Sequence, residues 1–107
     1  MKVIVHRRFT SEQQRVQHDY ALTASKEVCL RFREEIYEAM RSINLAPSAA
    51  GHPLPYPKNP KVAYRRRNLK RFPFFIIYAY EPGQLAFLWL LPTRSNPENW
   101  FKDPPLL

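Results

Sequence analysis

The sequence predicts an α+β domain in which two helices pack on one face of a largely antiparallel sheet. Residues 2–6 alternate as a short strand does, and residues 26–45 carry apolar side chains every three or four positions. Residues 74–91 hold two apolar runs separated by a Pro-Gly pair. With 107 residues, we expect one domain over 1–107. Its order is an N-terminal strand, a two-helix hairpin, then an antiparallel meander of two to three strands.

The helical hairpin follows the N-terminal strand. Thr10, with Gln13 three residues later, has the spacing of a capping box and is expected to begin the first helix. Val16 and Tyr20 give that helix an apolar stripe. After a short break, Ser25 is expected to cap a second helix, which ends before a proline-rich loop. The second helix should pack on the sheet through an apolar stripe of Cys29, Phe32, Ile36, Met40 and Ile43.

The loop and the meander complete the fold. Residues 47–60 contain five prolines, a density that excludes a helix or a central strand, so we expect a stiff loop. Residues 62–72 and 74–80 are predicted as the next two strands, with Pro73 at a bend or an edge. Pro82 and Gly83 suit a type II turn. Residues 85–91 then form a buried strand that includes Trp89, followed by a polar tail over 92–107.

Positive charge is concentrated in residues 58–72, here called the basic run. These residues include seven lysines and arginines and no acidic residue, in a chain of formal net charge +8 and pI near 10.0. A basic surface on a rigid strand is suited to nucleic acid or another polyanion. The alternative is a solvated strand edge that discourages aggregation. The candidate nucleic-acid-binding residues are Lys58, Lys61, Arg65, Lys70 and Arg71.

The sequence gives no sign of a membrane partner, a disulfide or a metal site. No apolar run approaches the roughly 18 residues of a membrane-spanning helix, so no membrane partner is expected. The single cysteine, Cys29, allows no internal disulfide and fits a cytoplasmic location. The three histidines, His6, His18 and His52, lack metal-type spacing, so neither a metal nor another cofactor is expected. An approach of His52 to the basic surface is an alternative to which the sequence gives little weight.

Two motifs resemble a known superfamily. They are R-x-x-L-x-R-F-P-F-F-I-I-Y, from Arg66 to Tyr78, and T-R-S-N-P-x-x-W, from Thr93 to Trp100. With the strand and two helices before them, they resemble the RelE/ParE superfamily of bacterial type II toxin–antitoxin toxins. RelE-like members cut mRNA in the ribosomal A site, whereas ParE-like members bind DNA gyrase without cleaving nucleic acid. Both are neutralised by a cognate antitoxin, usually acidic where it binds the toxin.

The resemblance implies a site for metal-independent RNA cleavage, with Arg66, Arg67 and Arg94 as the catalytic candidates. Arg94 resembles the arginine that stabilises the scissile phosphate in nuclease members. Pro92 stands where many relatives have a histidine, and Trp100 where some have a tyrosine, so a lysine of the basic run is the remaining candidate base. The net charge favours the endoribonuclease that acts on ribosome-bound mRNA. The alternatives are a ParE-like gyrase inhibitor and a decayed toxin that binds only its antitoxin.

Overall fold

The computed structural model describes residues 1–54 and 61–96, which form a five-stranded sheet and two helices. The strand order is β1-β5-β4-β3-β2; β1 runs parallel to β5, and the other pairs are antiparallel. The α+β fold is therefore confirmed. The elements are β1 (Lys2–Val5), α1 (Arg7–Thr23), α2 (Lys26–Leu45), β2 (His52–Pro53), β3 (Ala63–Asn68), β4 (Phe74–Glu81) and β5 (Gln84–Pro92).

Helix α1 begins earlier than the sequence predicted. His6 is the N-cap, and its Nδ1 accepts a hydrogen bond from the Arg8 N–H at 3.1 Å. The expected cap at Thr10 is wrong, because Phe9 must enter the core. Phe9 is fully buried and packs on Phe87 of β5 with ring centroids 5.9 Å apart. Burial of this aromatic ring outweighs the capping preference of the later Thr-Ser pair.

Helix α2 agrees with its prediction. The Ser25 Oγ accepts a hydrogen bond from the Val28 N–H at 3.1 Å, so Ser25 is the N-cap as expected. The helix ends at Leu45, before the first proline of the loop. Its inward face consists of Phe32, Ile36, Ala39 and Ile43.

Strand β3 is shorter than predicted. Regular pairing ends at Asn68, so the expected strand over 62–72 is wrong at its C-terminal end. The Leu69 N–H donates to the Phe74 carbonyl at 3.0 Å, which closes a turn between β3 and β4. Pairing cannot continue through this turn, because the N–H groups of Lys70 and Arg71 donate to Glu35 of α2 and Pro73 has no N–H.

The β4–β5 hairpin has the predicted turn. Glu81 pairs with Gln84, and Gly83 between them has a φ of 83°, which glycine adopts without the steric cost of a side chain. Strand β2 is a two-residue edge strand within the proline-rich loop, which is compatible with the expectation that no central strand forms there.

The sheet is apolar on both faces. Residues of α1 and α2 pack with one face, here called the helix side, which includes Ile76, Tyr78 and Phe87. The opposite side, here called the far side, buries Phe75, Ile77, Ala79, Ala86, Leu88 and Trp89. The predicted core position of Trp89 is confirmed at 6% exposure. Across 1–54 and 61–96, no helix combines the length and the apolarity that a membrane crossing requires.

Candidate functional site

The three consecutive arginines of β3 divide between the two faces of the sheet. Arg65 pairs with Tyr78 and Arg67 with Ile76, so both arginines point to the helix side. Arg66 pairs with Ile77 and therefore points to the far side. The sequence left this choice open, because a shift of one residue in register exchanges the two faces.

The two arginines on the helix side bind the segment that follows α2. Arg65 Nε donates to the Gly51 carbonyl at 3.0 Å, and its Nη2 donates to the same oxygen. Arg67 Nη1 donates to the Ala50 carbonyl at 2.9 Å. The Tyr78 hydroxyl donates to the Pro47 carbonyl at 2.6 Å. Three side chains of the sheet thus hold three carbonyl groups of residues 47–51.

The tyrosine of this group lies in the core. Tyr78 is fully buried, and burial raises the pKa of its hydroxyl, so the hydroxyl remains protonated at neutral pH and acts as a donor. Its bond to the Pro47 carbonyl satisfies two polar groups that would otherwise be costly to bury.

Arg66 lies opposite a histidine on the far side. In the β2–β3 ladder His52 pairs with Arg66, and side chains of directly opposed residues share a face, with Cβ atoms about 4.5–5.5 Å apart. The guanidinium of Arg66 stacks 3.8 Å from the ring centroid of Phe75, and its Nε donates to Asn68 Oδ1 at 2.8 Å. Burial lowers the pKa of Arg66, but a guanidinium still carries its charge at neutral pH.

A second group of cations lies at the end of the sheet where the β3–β4 connection and the C-terminal end of β5 meet. Both Glu35 oxygens accept hydrogen bonds from backbone N–H groups, at 2.8 Å from Lys70 and 3.1 Å from Arg71. The Thr93 N–H donates to the Pro73 carbonyl at 2.9 Å, which holds the stretch before Arg94 beside this connection. The side chains of Lys70, Arg71 and Arg94 are exposed.

The remaining site candidates lie elsewhere. Lys61 is exposed just before β3, at the end of the strand remote from the turn at Lys70. Lys58 and Trp100 lie outside the described residues. Within the described ranges, no three His, Cys, Asp or Glu side chains are grouped so that they could hold a metal ion.

The structure therefore separates the predicted arginines and Lys70 into three locations, apart from Lys61. Arg66 lies on the far side, Arg65 and Arg67 on the helix side, and Arg94 at the end of the sheet with Lys70 and Arg71. Sequence reasoning gave His52 little weight. Its place opposite Arg66 depends on the pairing of β2 with β3, which brings together two residues that lie 14 positions apart in the chain. The stretch His52-Pro53-Leu54 has no apolar-polar alternation and is too short to predict a strand.

The fold is shared with a known protein. A chain of the chromosomal ParDE TA system from P. aeruginosa superposes with a TM-score of 0.69, over 86% of this chain and 95% of that chain, at 17% sequence identity. No family model and no curated protein matches the sequence. At this identity the likeness is one of fold. The α+β fold that the sequence predicted is therefore shared with a chain of that system.

Proposed function

We propose that this protein is the toxin of a type II toxin–antitoxin pair and that it cleaves mRNA on the ribosome. The observation that carries the cleavage proposal is the pairing of His52 with Arg66 on one face of an antiparallel ladder. It places a histidine and an arginine on the same face of adjacent strands, a combination that the sequence alone did not predict. Imidazole is the side chain best suited to proton transfer near neutral pH.

The two groups have complementary roles in attack by a ribose 2′-hydroxyl on the adjacent phosphate. His52 takes the hydroxyl proton as the oxygen–phosphorus bond forms. Arg66 stabilises the additional negative charge on the phosphate oxygens, to which a guanidinium can donate two hydrogen bonds. The bond from phosphorus to the 5′-oxygen then breaks, and that oxygen takes a proton from water. The products are a 2′,3′-cyclic phosphate and a 5′-hydroxyl.

The cations at the end of the sheet support RNA binding. Lys70, Arg71 and Arg94 are exposed at neighbouring positions, so they can contact successive phosphates of an RNA strand. The net charge of +8 favours a target rich in phosphate, such as the ribosomal site in which mRNA is held.

A protein partner is also expected. The similarity to a chain of the ParDE TA system and the basic character of this chain support an acidic cognate antitoxin as that partner. Co-purification with the product of the neighbouring small open reading frame tests the pairing. A partner that does not co-purify would count against it.

The cleavage test is primer extension on a reporter mRNA in a purified translation reaction. We expect ribosome-dependent cuts with wild-type protein and a decrease of about 100-fold or more for His52→Gln and for Arg66→Ala. Arg94→Ala should also reduce cutting. His18→Gln is the matched control, because His18 is exposed on α1. Cutting that survives His52→Gln unchanged would remove His52 from the mechanism.

A second candidate function is ParE-like inhibition of DNA gyrase without catalysis. Exposed apolar side chains of the helical hairpin favour it, because such side chains suit a protein target: Leu22 is 72% exposed, Leu30 44% and Tyr37 46%. Intact mRNA together with inhibited supercoiling by purified gyrase would support this function over the nuclease. If neither activity appears and induced expression leaves bacterial growth normal, the protein is a decayed toxin.

A further inference from the structure

We propose that Arg65, Arg67 and Tyr78 are positioning residues that hold His52 opposite Arg66, and that the two arginines do not bind RNA. This inference rests on the proposed nuclease function for its catalytic consequence. Its structural part, the control of the β2–β3 pairing, can be measured whether or not RNA is cleaved.

Side-chain hydrogen bonds from the sheet hold the segment before His52. The carbonyl groups of Pro47, Ala50 and Gly51 accept hydrogen bonds from Tyr78, Arg67 and Arg65, at 2.6, 2.9 and 3.0 Å. These donors project from β3 and β4, which lie inside the sheet. The segment directly before His52 is therefore attached to two internal strands of the sheet.

Strand β2 cannot fix its own position. The strand has two residues, and Pro53 has no N–H to donate to the ladder. After it, the Leu54 N–H donates to the Tyr64 carbonyl at 2.9 Å. A pairing this short specifies register weakly, and a slip of one residue would turn His52 to the other face. The side-chain bonds to residues 47–51 provide the missing constraint.

Strand β3 alternates between two roles. Arg65 and Arg67 point to the helix side, whereas Arg66 and His52 share the far side. A phosphate bound between His52 and Arg66 would thus lie across the sheet from the guanidinium groups of the two neighbouring arginines. They can influence the reaction through the loop that they hold.

The structural test is amide hydrogen exchange at Leu54, measured by NMR. Tyr78→Phe removes one hydroxyl and keeps the ring, so we expect exchange at Leu54 to become roughly five- to tenfold faster. Tyr80→Phe is the matched control, since Tyr80 lies two residues along the same strand and packs beside Tyr78, with ring centroids 6.3 Å apart. It should leave the exchange rate at Leu54 unchanged. Arg67→Gln provides a second variant should Tyr78→Phe fold poorly.

The catalytic test separates positioning from RNA binding. For Arg67→Gln we expect kcat for mRNA cleavage to fall about tenfold or more, with KM and its salt dependence unchanged. Arg67→Lys keeps a donor that can reach the Ala50 carbonyl and should recover part of kcat. A raised KM with a weaker salt dependence would instead mean that Arg67 contacts phosphate, and it would overturn the proposal.

The two proposals fail in different ways. Wild-type protein that leaves mRNA intact would refute the nuclease, while faster exchange at Leu54 in Tyr78→Phe and Arg67→Gln would still support the positioning role. Unchanged exchange at Leu54 in both variants would refute the positioning role even if wild-type protein cleaves mRNA.

Discussion

Gly51→Ala should damage both the fold and the site, because the residue lies against the backbone of β3. A Cβ atom at Gly51 would stand 2.6 Å from the Arg66 carbonyl oxygen and 3.1 Å from Tyr78 Cε1. Ordinary contacts begin at 3.4 Å, so the methyl group is about 0.8 Å too close to the oxygen. The backbone oxygen belongs to a paired strand and cannot rotate away, so the segment that carries His52 must move.

The size of the effect follows from that displacement. Overpacking against a fixed backbone costs about 2 kcal/mol of unfolding free energy, which lowers Tm by roughly 10 °C in a domain of this size. For the proposed mRNA cleavage, the expected consequence is larger. A shift of His52 by somewhat less than 1 Å relative to Arg66 should lower kcat for mRNA cleavage about 100-fold, since reacting groups must be held close to their productive geometry.

The assay pairs urea unfolding with mRNA cleavage, and the other glycine of the chain is the control. Gly83 has a φ of 83°, and apart from its two chain neighbours no described residue has an atom within 4 Å of the position that an alanine methyl group would take there. Gly83→Ala therefore introduces backbone strain of about 1 kcal/mol without a clash. It should reduce stability and leave cleavage per folded molecule intact. Wild-type stability and wild-type cleavage in Gly51→Ala would refute the reasoning, because the close approach to β3 would then have no consequence.

Two further predictions concern polar groups at helix and strand ends. Burial lowers the pKa of His6 below its ordinary value of 6.5, and the charges of the two following arginines lower it further. The capping hydrogen bond needs an unprotonated Nδ1, so it contributes fully to stability above pH 6.5 and is lost as the pH falls through the lowered pKa of the folded protein. Asparagine caps a helix without titrating, so between pH 7.5 and 5.0 the unfolding free energy measured in urea should fall less in His6→Asn than in wild-type protein. Equal decreases in the two proteins would contradict this role of His6. Glu35→Ala removes the acceptor for the N–H groups of Lys70 and Arg71, and since water reaches these exposed groups, unfolding free energy should fall by only about 0.5–1 kcal/mol. The same measurement on Glu34→Ala, an exposed neighbour, should show no change.

The elements that the sequence predicted well are those whose pattern is local. Helix α2 places apolar side chains at Phe32, Ile36 and Ile43, which follow the period of a helix, and Ser25 begins it with the expected cap. The β4–β5 hairpin joins two apolar runs through a turn whose glycine needs a positive φ. In both cases the residues within one segment determine its structure.

The errors arose where a distant partner decides the outcome. The start of α1 depends on the contact between Phe9 and Phe87, residues far apart in the chain. The end of β3 depends on Glu35 of α2, which accepts the N–H groups of Lys70 and Arg71. The position of β1 beside β5 also requires knowledge of the whole sheet, because a four-residue strand carries no information about which edge it joins.

The site was predictable in its residue types and not in its arrangement. The sequence identified the arginines of β3, but their distribution over two faces follows from the register of β3 against β4. His52 is the clearest case. A histidine in a loop with five prolines has no local feature that connects it to Arg66, and only the short β2–β3 pairing brings the two residues together.

The fold also distributes the positive charges of the basic run over separate surfaces of the protein. The basic run reads as one cationic surface in sequence, yet Arg65 and Arg67 bind carbonyl groups on the helix side while Arg66 stacks on Phe75 on the far side. Electrostatic attraction extends over about 8–10 Å in physiological salt, so the exposed cations at the end of the sheet can attract RNA without contacting the scissile bond. In the proposed nuclease, different residues attract the RNA and carry out the cleavage. Added salt should weaken the first, whereas a change at Arg66 or His52 should affect the second.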